Sequence, residues 1–213
     1  MKKSILSLVT TVALAGIAHA GSVTFTNWGV SFSQIQANGA PVAAGTGFIA
    51  VGTTALTPTD LANDIAANDG VNLSTGGRAL LAASFTQFGD SVTFGFNNFA
   101  GYFEGLATGD GGAAAFSGQP VLLIAGTGTS IADSDSLLII AGADNFAADN
   151  PVFSTAVGPD AGQLVFGAAG GTNSVNATLG SIQMGNVADV IPEPGVSILA
   201  LFSAGLLILR RRR

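Results

Sequence analysis

Two four-residue runs, Val121-Leu122-Leu123-Ile124 and Leu137-Leu138-Ile139-Ile140, are apolar at every position. A strand with one wet face alternates apolar and polar residues, so a strand without alternation needs cover on both faces. Periodicity alone does not separate such a run from a buried helix segment. Other strand signals surround these two. Val23-Thr24-Phe25-Thr26 alternates, and Trp28, Val30 and Phe32 continue the alternation after a one-residue slip that a bulge would produce. Further strands are expected at 47–51, 79–85, 91–97, 120–125, 137–141, 163–166 and 174–184. They are separated by turn clusters such as Gly109-Asp110-Gly111-Gly112, Gly126-Thr127-Gly128 and Gly158-Pro159.

One helix is expected. Thr57-Pro58-Thr59-Asp60 supplies an N-cap, a proline at the first helical position and a carboxylate at the third. Leu61 and Ile65 then share a face, and Asn68-Asp69-Gly70 ends the helix. The expected fold is mainly β: a β-sandwich or jelly roll of short strands with a single short helix. A mixed sheet with that helix packed on it is the alternative. Fourteen Phe supply material for a core.

Charge separates the chain into ends and middle. Lys2 and Lys3 lie at the N-terminus and Arg210, Arg211, Arg212 and Arg213 at the C-terminus. Arg78 is the only other cation, against twelve Asp and Glu between residues 21 and 190, so that region carries a net charge of about −11. Nucleic-acid binding requires clustered cations to replace the counterions of phosphate, and this region has none. An anionic membrane surface is an equally poor partner.

The chain has no Cys, which leaves neither disulfides nor thiolate chemistry. Its one histidine is His19. Met1-Lys2-Lys3 is a positive n-region, residues 5–17 form an apolar stretch, and Ala18 and Ala20 are the small residues that a signal peptidase reads. Cleavage there would leave Gly21 first and discard His19. The mature chain would then lack His, Cys and Lys, which removes Ser-His-Asp and Cys-His triads, Ser-Lys dyads, Schiff-base chemistry and the usual zinc ligands.

Carboxylates are what remain. Glycoside hydrolysis needs two flanking the bond, and Glu104 is the only Glu between residues 21 and 190. Tyr102-Phe103-Glu104 is the group of interest for that chemistry, and it reads equally as two core aromatics beside a solvated carboxylate. Trp28 and Tyr102, the only Trp and Tyr, are the candidate sugar platforms. Structural calcium would use Asp133-Ser134-Asp135 or Asn68-Asp69-Gly70-Val71-Asn72, but neither has the Glu that completes an EF-hand loop. Acidic residues also serve turn geometry. No cofactor, metal ligand set or catalytic residue is assigned from the sequence.

The C-terminal part has three pieces in order. Pro192-Glu193-Pro194 interrupts any helix or strand, residues 195–209 carry no charge, and four arginines follow. As a helix the fifteen uncharged residues span about 22 Å, short of a roughly 30 Å hydrocarbon core. Snorkelling arginine stems and local thinning make up part of the difference. The arginines would stay on the cytoplasmic side and leave the preceding domain outside. The expected division is therefore a signal peptide at 1–20, a β-rich domain at 21–184, a linker with the Pro-Glu-Pro motif at 185–194, and a transmembrane helix with its basic tail at 195–213.

This tail resembles the PEP-CTERM sorting signal of Gram-negative bacteria, over residues 191–213. The resemblance implies that Pro192, Glu193 and Pro194 are recognition residues for an exosortase in the inner membrane, which would process the chain near the motif. It further implies association with exopolysaccharide or biofilm. The central region is loosely similar to a passenger type found with such tails. That likeness rests on Phe116-Ser117-Gly118-Gln119-Pro120-Val121-Leu122-Leu123 and implies no activity.

The expectation is thus an exported, non-enzymatic cell-surface or extracellular-matrix protein, transiently held in the inner membrane. Signal peptidase, exosortase and a polysaccharide would be its partners. A carbohydrate-binding module or adhesin is the alternative, and a carboxylate-based hydrolase or lyase using Glu104 stands behind both.

Overall fold

A computed structural model describes residues 21–28, 34–147, 154–159, 162–175 and 180–189. Both expected terminal segments, with Ala18, Ala20, Pro192, Glu193, Pro194 and Arg210, Arg211, Arg212 and Arg213, lie outside the described residues, as do Val30 and Phe32. Among the described residues, no helix is long and apolar enough to cross a membrane.

The structure is mainly β. In chain order the strands are β1 (Gly21–Thr26), β2 (Gln34–Ala37), β3 (Ala40–Pro41), β4 (Phe48–Thr54), β5 (Phe85–Gln87), β6 (Glu104–Gly109), β7 (Pro120–Gly126), β8 (Ser136–Asn145), β9 (Ser154–Val157), β10 (Gly162–Phe166), β11 (Ala168–Thr172), β12 (Gly180–Gln183) and β13 (Gly185–Asn186). Two helices, α1 (Pro58–Asn68) and α2 (Thr75–Ser84), occupy the connection between β4 and β5.

The largest sheet has the order β10-β8-β7-β4-β5, with β13 also paired to β8. All its pairings are antiparallel. The two apolar runs are its adjacent central strands: Leu123 lies opposite Ile140 and Ile124 opposite Ile139. Both faces are covered, as unbroken apolarity requires. Val51, Leu123, Leu138 and Ile140 point into one core cluster with Val23 and Phe25 of β1, Ala107 of β6, Ile35 of β2 and Ile182 of β12. Ala50, Ile124, Leu137 and Ile139 point into a second cluster with Leu61 of α1 and Leu81 of α2.

Two smaller sheets supply the cover on the first face. One has the order β6-β1-β9, in which β1 is antiparallel to β6 and parallel to β9. The other has the order β11-β12-β2-β3, in which β12 runs parallel to β2.

α1 begins and ends as its sequence dictates. Thr57 Oγ1 accepts from the Asp60 amide at 3.1 Å, and Asp60 Oδ2 accepts from the Thr57 amide at 2.8 Å, closing a capping box. Asp69 and Gly70 both donate to the Ile65 carbonyl, and Gly70 has φ of 79°.

Several expectations need correction. Residues 79–84 are not a strand but the body of α2, so the chain has a second helix where one was expected. Arg78 to Ala83 are all good helix formers without β-branching, and Ser74 caps them by accepting from the Gly77 amide at 2.8 Å. In the fold Gly77 gives room: a Cβ there would stand within 3 Å of the Asp64 carboxylate of α1. That carboxylate accepts from the Ser74 amide and hydroxyl at 2.9 and 2.6 Å, tying the two helices together.

Residues 91–97 are not a strand either. Val92 makes a single bridge to Ile49, and residues 96–98 form a 3₁₀ turn. Within 174–184 only β12 is a described strand. The expected linker also starts too early, because β13 pairs with β8 and the chain stays attached to the body through Asp189. Sequence reading missed β2, β3, β6, β9, β11 and β13; of these β2, β6 and β9 pair with strands far along the chain.

Candidate functional site

The most chemically distinctive surface is an aromatic cluster beyond the end of β1. At Asn27 the chain leaves the strand. Asn27 is buried, and its side chain spans to a loop far along the sequence, donating to the Gly101 carbonyl at 2.7 Å and accepting from the Phe103 amide at 2.7 Å. Thr26 Oγ1 accepts from the Trp28 amide at 2.8 Å and donates to the Phe103 carbonyl at 3.2 Å. These bonds bring Trp28 against the 95–102 loop.

That loop folds back on itself. The Gly95 amide donates to the Tyr102 carbonyl at 2.7 Å, and the Gly101 amide donates to Val42 at 2.7 Å. Between them Asn97 and Asn98 have φ of 51° and 64°, a left-handed conformation that non-glycine residues adopt at a cost and Asn tolerates better than most. The result is a nest of rings. Trp28 stacks on Phe99 with centroids 5.6 Å apart and an interplanar angle of 18°. It meets Phe96 and Tyr102 edge-on at 5.6 and 5.2 Å. Offset stacking and edge-to-face contacts are the favoured ring geometries, so the cluster holds its own shape.

Burial separates the two expected platform residues. Tyr102 is 1% exposed, and its hydroxyl accepts from the Asn173 side-chain amide at 2.6 Å. It is a core residue with a satisfied polar end. Trp28 is half-buried, and Phe99 is exposed at 40%. Phe96, Asn97, Asn98 and Phe99 were not singled out in the sequence because residues 91–97 read as a strand. The usable signal was the Asn-Asn pair after Gly95, which favours left-handed backbone over a strand.

The loop is braced from below by buried amides. Gln34, fully buried on β2, donates to the Ala100 carbonyl at 3.1 Å, and its Oε1 accepts from the Ser174 amide at 2.9 Å. Gln36 Nε2 donates to Gln34 Oε1 at 3.2 Å, and Gln183 Nε2 donates in turn to Gln36 Oε1. Such groups carry a desolvation cost when unpaired, so their mutual satisfaction fixes the register of β2 against β12.

The carboxylates are dispersed over strands, helices and turns. Phe103 is buried beside Tyr102, while Glu104 is exposed on the edge strand β6, opposite Thr26. Asp133 accepts from the Thr129 and Ser130 amides at 3.1 and 2.6 Å and from both their hydroxyls at 2.6 Å. The Ser130 hydroxyl, then the Thr129 hydroxyl and amide, hold its carboxyl well below the usual carboxylate range. Asp69 accepts from the Val71 and Asn72 amides at 2.8 and 2.6 Å, and those bonds, Asn72 first, lower its pKa. In the two candidate calcium loops, Asp133 and Asp69 thus serve turn geometry. Among the described residues no group of three or more His, Cys, Asp and Glu side chains is placed to share a metal ion. An open groove of about 800 Å³ between residues 45–48, 91–93 and 127–129 has Asp133 at its side, already engaged, and Glu104 does not line it.

Asp60 and Asp189 are lowered in the same way, by the amide and hydroxyl of Thr57 and by the hydroxyl and amide of Thr75 respectively. A carboxyl whose pKa is lowered by folding contributes stability above its unfolded value, near 3.9, and loses it as pH falls through the folded value. The melting temperature is expected to stay level from about pH 7 to about pH 5 and to fall below about pH 4. Thermal unfolding followed by circular dichroism across that range checks it. A melting temperature that rises on acidification would contradict the assigned turn bonds.

No protein-family model, curated protein or solved structure matches this chain.

Proposed function

We propose that the chain is an exported, non-enzymatic cell-surface or extracellular-matrix protein, sorted through a PEP-CTERM signal and processed by an exosortase. The observation that carries this reading is the ordered tail: Pro192-Glu193-Pro194, the uncharged residues 195–209, then Arg210, Arg211, Arg212 and Arg213. Cleavage after Ala20 and processing near Pro192 would both leave every described element intact.

The body reads as a β-sandwich: the two smaller sheets form one layer, the large sheet the other, and the helices lie outside it. A domain with Arg78 as its only cation and an abundance of Gly, Ser, Thr and Asn suits hydrated polysaccharide better than ionic partners. The protein is delivered across the inner membrane of a Gram-negative cell, held there transiently by its tail, and passed to the surface or matrix.

Intact-mass measurement of the protein from its host's envelope and medium tests this. A species running from Gly21 to near Pro194 is expected. A stable species that keeps Arg210, Arg211, Arg212 and Arg213 would make the tail a lasting anchor and overturn the exosortase step.

A further inference from the structure

We infer that Phe99, backed by Trp28 and flanked by Asn97 and Asn98, is a binding site for an uncharged polysaccharide. The inference deepens the reading of the body as a matrix component and rests on it. Phe99 is the one Phe among the exposed large apolar residues of the described fold. One face of its ring lies against the Trp28 indole, so its exposed part is the face and edge turned away. A pyranose ring presents a flat patch of C–H groups that packs on such a face, and its hydroxyls seek donors and acceptors at the ring's rim.

Asn97 and Asn98 supply both. They are exposed and immediately precede Phe99 in the chain, and neither side-chain amide has a hydrogen-bond partner among the described residues, while the Asn98 backbone amide donates to Gly95. The platform is also rigid. The stack on Trp28, the edge contact of Phe99 with Tyr102 at 6.4 Å and the Asn27 and Gln34 bonds fix it before any ligand arrives, so little ordering cost remains on binding.

Charge selects the class of polymer. Arg78, the only cation of the region, is engaged with the Ser134 carbonyl at 2.9 Å on α2. Nothing in the loop neutralises a uronate or sulfate, and the net negative charge of the body repels polyanions.

The test is affinity gel electrophoresis of the protein recovered from its host, run through gels containing dextran, hydroxyethylcellulose or laminarin as neutral polymers and alginate as an anionic one. Retardation is expected with at least one neutral polymer and none with alginate. Phe99→Ala should weaken it about tenfold. Asn97→Gly with Asn98→Gly, which preserves the backbone conformation, should weaken it severalfold at an unchanged melting temperature. No retardation by any neutral polymer, retardation by alginate alone, or a Phe99→Ala variant that is retarded like the original would each overturn the site. Mass analysis of the same preparation reports tail processing separately, so failure of the site and failure of the sorting reading are told apart.

Discussion

Leu123→Ala is expected to lower the unfolding free energy by about 3–5 kcal/mol, and Leu81→Ala by about 2–4 kcal/mol. Both side chains are fully buried, but they belong to different cores. Leu123 projects from β7 between Val51 of β4 and Ile140 of β8, toward the two smaller sheets. Leu81 projects from α2 onto the opposite face of the same sheet. Each truncation removes the transfer energy of its methyl and methylene groups and leaves a cavity that β-strands on a common ladder cannot collapse to fill. With no shared packing partners the two costs should add to within about 0.5 kcal/mol. Urea unfolding of the two single variants and the double variant measures this. A Leu81→Ala cost below about 1 kcal/mol would mean that the helical layer is not packed on the sheet. A strongly sub-additive pair would mean that the two clusters behave as one core.

Ending the chain after Met184 is expected to lower the melting temperature by about 10 °C or more relative to a chain ending after Asp189. The five residues between these ends look like a polar linker and behave as a strap. The Leu73 amide donates to the Asn186 carbonyl at 3.1 Å and the Leu73 carbonyl accepts from Ala188 at 3.0 Å, while the Val187 amide donates to Asp135 at 2.9 Å. Asn68 Nδ2 donates to the Ala188 carbonyl at 2.6 Å. Leu73 is fully buried, so losing the strap leaves both of its backbone groups without partners, at about 1–3 kcal/mol each.

Two further contacts reinforce the strap. Asp189 accepts from the Thr75 amide at 2.8 Å and hydroxyl at 2.5 Å, placing a carboxylate at the start of α2 where the helix dipole favours it. Gly185 lies directly on the Phe166 ring, whose carbons stand under 3 Å from where a Cβ would be, so this contact admits glycine alone. Equal melting temperatures for the two chains would return residues 185–189 to the role of linker. If the strap holds, any processing enzyme acting at Pro192 works within a few residues of the folded body.

Some of this was legible because its causes are local. The capping box of α1 is complete within Thr57 to Asp60, and its stop within Asp69 and Gly70. The unbroken apolarity of β7 and β8 required cover on both faces whatever supplied it, and the alternation of β1 required cover on one. The turn carboxylates also act within a few residues of themselves, as at Asp133 with Thr129 and Ser130.

Other features have causes at a distance. α2 is an apolar stretch of good helix formers behind a glycine pair, and its start is set where Ser74, Gly77 and the Asp64 carboxylate of α1 fit together. Residues 91–97 have strand composition, yet the Asn27 and Gln34 side chains draw the 95–102 loop into a different shape through the Gly101, Phe103 and Ala100 backbone groups. Trp28 and Phe99 have no relation in the sequence and share one stack in space. By itself the sequence determined a mainly β body, its sheet centre, one helix and the charge contrast between body and ends. Only the tertiary structure decided which rings reach the surface, where the second helix lies and that residues 185–189 pack on the body. Those depend on burial and hydrogen-bond partners that no local window contains.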